Sequence, residues 1–302
     1  MLANIRNVHY ILYHDEFEQN FQCKWGVLSY LNPEDDIKLR TYNYFCKLNP
    51  DTLEILSSDE IDTSKNDIEP VWEFIGLEDV RLFRWEKQLY ASGVRRDVKE
   101  NGEGRIELCK LDITPDGVIE ATRDRVEVDP HTHLEKNWMP ILDMPFHFVR
   151  WCNPLEIIKV NPNNKSKQKA LKGELDIIDS EVIFKSNKPL DLPLGLRGSS
   201  QVIPFGDNGD RICVTHETHF FWHQNKKKDA QYYHRFIIWD KDWNIKKVSE
   251  QFKFMDAMIE FACGLVIKDN NFIITYGYQD NAAYALKMPI QLLDKLKWDI
   301  DE

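Results

Sequence analysis

Four stretches of this 302-residue chain repeat one plan: an apolar run, a tight polar turn, then a second apolar run ending in polar or charged residues. They are residues 80–85 turning at 86–88 into 89–96, residues 138–152 around Leu142-Asp143-Met144-Pro145, residues 201–217 around 206–210, and residues 264–280 around Asp269-Asn270-Asn271. Their starts fall about sixty residues apart, the interval of a radially repeated β-sheet rather than of a sandwich. Five such units fill the chain. The expectation is an all-β, five-bladed β-propeller forming one domain over 1–302, with the N-terminal stretch supplying strands to the first or last blade. A β-sandwich or two small β-domains is the alternative.

Composition agrees with strands and narrows the partners. Helical periodicity is scarce, and nine Trp, eleven Tyr and sixteen Phe suit strand-rich folds and sugar stacking. A formal charge of −11, from 39 Lys+Arg against 50 Asp+Glu, speaks against a protein that coats nucleic acid. Any anionic substrate must therefore meet a local basic pocket. No run approaches the roughly 18 apolar residues of a membrane span, and the N-terminus has no leader pattern. The cysteines, Cys23, Cys46, Cys109, Cys152, Cys213 and Cys263, stand singly without a CxxC pair. They read as buried free thiols of a cytoplasmic protein. The basic runs 159–172 and 225–229 read as a surface loop and a hairpin tip.

The densest polar cluster in an apolar run is Gly76-Leu77-Glu78-Asp79-Val80-Arg81-Leu82. On a strand, Asp79 and Arg81 face one way and Glu78 and Val80 the other, so Asp79 is either half of a structural ion pair or a catalytic carboxyl tuned by its neighbours. Arg95 and Arg96 are adjacent and point to opposite faces, so at most one joins Asp79. Lys136, Asn137 and Trp138 set a cation, an amide and an indole side by side, a combination suited to a sugar phosphate; the plainer reading puts Trp138 in the core with Lys136 reaching out. His216 and His219 lack the spacing of a zinc motif, so no metal is expected, and His216 alone serves as a pocket hydrogen-bond donor. Arg197 begins an Arg-Gly-Ser-Ser stretch of the kind that brings backbone close to a ligand. Neither a phosphate-cradling glycine motif nor a GxSxG elbow is present. Asp280 ends its strand as Asp97 and Glu217 end theirs, and carboxylates at equivalent ends of radial strands would converge near an axis; a turn-capping role is the alternative.

Taken in order, Gly76–Arg81, Lys136–Pro140, His216, and Phe261–Leu265 followed by Tyr276–Asp280 resemble the landmarks of glycoside hydrolase family 130, the β-mannoside phosphorylases and hydrolases with their mannosyltransferase relatives. The resemblance covers roughly residues 70 to 290. It implies a five-bladed propeller with an axial active site in which Asp79 is the general acid, passing its proton through a sugar hydroxyl to the glycosidic oxygen. Phosphate then attacks C1 from the opposite face with inversion and needs no enzymic base. Arg96 and Lys136 fall where phosphate is held, with Arg95, Arg150 and His216 as further candidates. Glu78, Arg81, Asn137, Trp138, Arg197, Glu217, Glu260, Tyr278 and Asp280 are the implied substrate contacts. Two departures touch the phosphate site: Val80 replaces the usual Pro, and Val149-Arg150-Trp151 stands where a His-Arg pair is common.

The resulting expectation is an inverting glycoside phosphorylase or glycosyltransferase acting on β-mannosides or related glycans, using phosphate, mannose 1-phosphate or a sugar nucleotide and no cofactor. A β-mannoside hydrolase and a non-catalytic glycan-binding propeller are the alternatives. Its partners would be an oligosaccharide and inorganic phosphate or a sugar phosphate, with no nucleic acid and no membrane span. The oligomeric state stays open, a homo-oligomer included.

Overall fold

Short runs rich in β-branched and aromatic residues, cut by turn residues, fold into antiparallel ladders from the first residues onward. The computed structural model describes residues 1–12, 20–23, 26–31, 38–192, 196–222 and 228–301. Leu2–Val8 (β1) pairs along its whole length with Leu39–Leu48 (β2), which pairs on its other side with Ile55–Asp62 (β3). A second group runs Leu77–Trp85 (β4), Gln88–Arg95 (β5), Arg105–Thr114 (β6) and Gly117–Glu127 (β7). The third is Met139–Pro140 (β8), His147–Cys152 (β9), Leu155–Ala170 (β10) and Gly173–Lys185 (β11). In the fourth, Arg197–Gly198 (β12) and Ile203–Phe205 (β13) both pair with Asp210–Trp222 (β14). Lys228–Trp239 (β15) and Ile245–Ser249 (β16) follow. Glu260–Lys268 (β17), Asn271–Tyr278 (β18) and Ala282–Pro289 (β19) make the fifth, and the chain returns as Trp298–Asp301 (β20) to pair with β16.

All four hairpins expected from the sequence are present. Glu86 and Lys87 at the first of them have φ of 48° and 70°, the left-handed pair that a type I′ hairpin turn requires. The polar run 159–172, expected as a surface loop, is instead mostly strand: β10 extends to Ala170 and pairs with β11 down to Ala170↔Gly173. Backbone pairing carries these exposed lysines, because a ladder bond does not depend on side-chain polarity. Of the run 225–229, residues 225–227 lie outside the described residues and Lys228 already belongs to β15.

Packing follows chain order. Phe45, Ile61, Leu77, Leu89 and Cys109 form a core between the first and second groups. Phe83, Trp85, Ile106, Phe148 and Ile158 fill the space between the second and third. Met139, Ile157, Cys213 and Trp239 join the third to the fourth, and Ile212, Phe236, Leu265 and Phe272 the fourth to the fifth. Between the fifth group and the first lies a cavity of about 300 Å³ whose wall includes Leu2, Asn4, Val80, Leu265 and Ile273. Cys46, Cys109, Cys152 and Cys213 are buried free thiols and Cys263 is partly buried. Among the described residues no helix is long and apolar enough to cross a membrane.

Candidate functional site

The β4–β5 ladder slips between Glu78 and Arg81: Glu78 pairs with Val94 and Arg81 with Ser92, so Asp79 and Val80 stand against Gly93 alone. Asp79 takes φ 53°, a left-handed conformation that non-glycine residues adopt at a cost and that recurs at functional positions. Gly93 is needed opposite, since a Cβ there would stand 2.5 Å from the Glu78 carbonyl oxygen. This bulge overturns the strict alternation read from sequence, because the extra residue rotates Asp79 out of register. Glu78 and Asp79 reach the same cation. Arg81 instead turns inward, donating from Nε to the Ser199 carbonyl (2.7 Å) and from Nη1 to the Asp79 carbonyl (2.6 Å). It holds the main chain of the bulge and leaves the Asp79 carboxylate to another residue.

That residue is Arg6 of β1. Its Nη1 donates to Asp79 Oδ1 at 3.1 Å, its Nη2 lies 3.6 Å from Glu78 Oε2 and donates to the Tyr10 hydroxyl at 2.9 Å, and both Nε and Nη2 reach Thr41 Oγ1. Burial by itself would lower the Arg6 pKa, but Tyr10, Asp79, Glu78 and Asp280 more than reverse it and hold the guanidinium above its ordinary value. Sequence reading missed both Arg6 and Tyr10. Tyr10 lies only four positions from Arg6, but the carboxylate that gives the arginine its place in the site arrives 73 residues later.

The carboxyls themselves differ. Burial pushes Glu78 upward, with Arg6, Arg96 and Lys136 opposing and Asp79 adding to the shift. Its Oε1 is buried without a hydrogen-bond partner. Asp280 sits in the turn between β18 and β19 with φ 53°, and its charge acts on Arg6, Tyr10 and Tyr232. Tyr232 of β15 is pushed up to about 12, by burial first and then by Asp79 and Asp280. Asp79 and Asp280, 201 positions apart, thus act on the same Arg6 and Tyr232, whereas Asp97 and Glu217, expected to converge with Asp280, are bound instead to Arg95 and Arg235.

On the other flank stand cations. Arg96, Lys136 and Arg197 make no ion pair among the described residues, whereas Arg95, Arg125, Arg150 and Arg235 are all bridged to carboxylates. Arg96 and Lys136 act on Glu78; Lys136 and Arg197 act on His216. Arg96 is held by Nε donation to the Gly102 carbonyl (3.2 Å) and lies 4.8 Å above the Phe74 ring. Arg197 lies over Trp151 at 5.4 Å. Gly198 lets β12 approach the Lys136 segment, since a Cβ there would stand 2.3 Å from the Asn137 carbonyl oxygen. His216 is buried, hydrogen-bonded through Nδ1 to Ser199 Oγ (2.9 Å) and stacked on Tyr232 at 5.4 Å. Burial first, then His234, Lys136, Arg81 and Arg197, hold its pKa well below the usual histidine value, so it is a neutral imidazole.

Several residues expected in the site are engaged elsewhere. Arg95 is buried against Asp97 (2.6 Å) and Glu107, and Asp97 also accepts from the Gly76 amide. Arg150 is clamped by Glu135 (2.7 Å), Glu156 (2.8 Å) and the Pro130 carbonyl. Trp138 is 1% exposed, donates to Glu135 and packs on Phe148, which corrects its reading as a sugar platform. Glu217 faces away from His216 and is taken up by Arg235, Gln251 and His219. Glu260 accepts the amides of Phe254, Met255 and Ala257 and so ties down a loop. Tyr278 packs edge-on against Tyr284. Asn137 has φ 65° and a buried Oδ1 without a partner. A long side chain of either sign reads the same in sequence whether its partner is a ligand or a distant strand.

No family model matches the chain, and no curated protein matches it in sequence. Solved structures do. A β-1,2-mannobiose phosphorylase from Listeria innocua aligns at TM-score 0.51 and 10% identity, covering 96% of this chain and 83% of that one. A candidate glycoside hydrolase from Parabacteroides distasonis aligns at TM-score 0.52 and 12% identity, covering 90% and 85%. The resemblance to glycoside hydrolase family 130 drawn from the motifs thus has a counterpart in the fold.

Proposed function

We propose that this chain is an inverting carbohydrate-active enzyme of the phosphorylase and mannosyltransferase kind, built as one five-bladed propeller, in which Asp79 is the general acid. Five antiparallel groups with cores between successive neighbours favour the propeller, and so does a site fed by all five groups or the segments that join them. Arg6, Asp79, Lys136, His216 and Asp280 come one from each.

The observation that carries the function is the pairing of two unlike flanks. Asp79, Glu78 and Asp280 act on Arg6, while Arg96 and Lys136 act on Glu78, and Lys136 and Arg197 on His216; these three cations make no ion pair among the described residues. In a chain of net charge −11, a phosphate group would depend on such a local cluster. Arginine forks and a lysine point charge suit a phosphate or sugar phosphate. Neutral His216 adds a donor or acceptor without adding charge.

In the proposed reaction Asp79 supplies the proton that leaves with the aglycone, relayed through a sugar hydroxyl, while phosphate held by Arg96 and Lys136 attacks the anomeric carbon from the opposite face. The phosphate oxygen forms the new bond as the glycosidic C–O bond breaks. The product is an α-glycosyl phosphate with inverted configuration. Transfer from a sugar phosphate to an acceptor is the same step reversed.

Incubating the protein with β-mannobiose and inorganic phosphate, and separately with mannose 1-phosphate and mannose, tests this. Phosphate-dependent appearance of mannose 1-phosphate, and phosphate release in the reverse direction, are the expected results. Mannose release at equal rate without phosphate would replace the reading with hydrolysis, and binding without turnover would replace it with a glycan-binding role.

A further inference from the structure

The cavity of about 300 Å³ between the fifth group and the first draws its wall from all five groups, through Leu2, Leu82, Leu142, Gln201, Leu265 and Ile273. It adjoins the Arg6–Asp79 pair: Asn4 in its wall lies two residues before Arg6 on the same face of β1, and Val80, also in the wall, follows Asp79 directly. Gln201 braces it, donating from Nε2 to the Leu82 carbonyl (2.8 Å) and accepting the Leu265 amide at Oε1 (2.9 Å). The second and fifth groups are thereby held apart across the space.

One polar atom of this wall is left over. Asn43 gives its amide N–H to the Leu77 carbonyl and turns Oδ1 to Asn4, whose Nδ2 donates to it at 2.9 Å. Asn4 Oδ1 is then a buried acceptor with no hydrogen-bond partner among the described residues. Such an atom has lost its water without a replacement, and a donor that reaches it recovers the loss. Formal charge is spent elsewhere. Among the described residues no carboxylate lines the cavity, and its two cationic groups are committed to carbonyls, Arg84 Nη1 to Lys87 and the Met1 ammonium to Leu48, each at 2.9 Å.

We infer that this cavity is a second binding site, for a small uncharged molecule with an apolar body and one hydroxyl, the hydroxyl donating to Asn4 Oδ1 and the body lying against Leu2, Leu265 and Ile273. A volume near the lower end for small-molecule sites suits a single ring. A sugar would bring more hydroxyls than this wall can satisfy. A cation would find no carboxylate, and an anion would meet only engaged cations in a chain of net charge −11. Val266, 39% exposed, and the exposed Arg84 mark where the cavity opens to solvent. No residue assigned above to proton transfer or phosphate lines it, so the site stands apart from the functional reading.

The probes are p-cresol, toluene, which lacks the hydroxyl, and p-toluate, which carries a negative charge in its place. Calorimetry and saturation-transfer NMR on the full chain measure them. p-Cresol is expected to bind saturably at one site, toluene about ten-fold more weakly for want of one hydrogen bond, and p-toluate not at all. Asn4→Leu should bring p-cresol and toluene to equal affinity, and Val266→Trp, which narrows the opening from a partly exposed position, should abolish the binding of both. A further readout needs no variant. Cys263 lines the cavity and is the one thiol among the described residues that is not fully buried, so p-cresol should slow its labelling by methyl methanethiosulfonate in proportion to occupancy. Absence of saturable p-cresol binding would overturn the inference, as would equal affinity for p-toluate or a Cys263 labelling rate unchanged at saturating p-cresol. p-Cresol still preferred over toluene by the Asn4→Leu protein would overturn it too. None of these outcomes depends on turnover.

Discussion

Arg6 Nη1 donates to Asp79 Oδ1 across 3.1 Å, so a side chain of the first strand fixes the carboxylate that a bulge in the fourth strand has turned out of its ladder. The same guanidinium reaches Glu78 and Tyr10. Two carboxyls and a phenol share one cation, which opposes the upward shift that burial imposes on Glu78 and on Tyr10.

Asp79→Asn is expected to lower turnover at least a hundred-fold, the usual range for a lost general acid, with the thermal midpoint nearly unchanged. Steady-state kinetics beside a melting curve checks it. Near-normal activity would move the proton donor to another group.

Removing Arg6 acts on charge and fold together. Glu78 already has a folded pKa above its unfolded one, so its contribution favours folding at low pH and is lost as pH rises through the folded value. Arg6 opposes that shift, and Arg6→Ala enlarges it. The expected outcome is a loss of about 1–3 kcal/mol at pH 7 from unpaired buried acceptors, smaller at pH 4. Equal losses at both pH values would show that the arginine acts by packing alone.

Lys136→Ala should raise the KM for phosphate about ten- to a hundred-fold, the worth of one charge-assisted hydrogen bond, and leave the KM for the glycan within a factor of about three. An equal rise in both constants would mean that Lys136 supports the segment and not the anion.

Trp138→Ala is expected to behave as a core truncation, costing about 3–5 kcal/mol, because the indole is 1% exposed and hydrogen-bonded to Glu135. Urea unfolding measures it. A stable variant with a selective glycan KM defect would restore the sugar-platform reading.

Burial pushes His234 down to about 3, and its Nδ1 has no partner. The unfolded chain therefore takes up a proton near pH 6.5 that the folded one refuses. Stability is full above that value and falls by about 1.4 kcal/mol per pH unit below it for this group. Denaturation at pH 7 and pH 5 should show the drop, and His234→Gln should reduce it. A variant as pH-sensitive as the parent would place the effect on other groups.

Local regularities were legible without a structure. The four hairpins follow from apolar runs and turn residues that act within a dozen positions. The acidic pair at 78–79, the cations at 96 and 136, and Asp280 likewise stand out because each interrupts an apolar pattern. What the residues touch was not legible. The sequence treats Arg95 and Arg96 alike, yet one is bridged to Asp97 and the other makes no ion pair among the described residues. Trp138, Arg150, Glu217 and Glu260 have the residue types of a sugar site and the partners of a core.

The sequence alone determined an all-β chain of repeated hairpins and the residues able to supply a proton and hold an anion, because both are properties of short segments. Only the tertiary structure decided that Arg6 and Tyr10 belong with Asp79, that Asp280 acts on them, and that Lys136 and Arg197 make no ion pair among the described residues. Those outcomes depend on which strands meet, and an ion pair between residues 73 positions apart leaves no local mark.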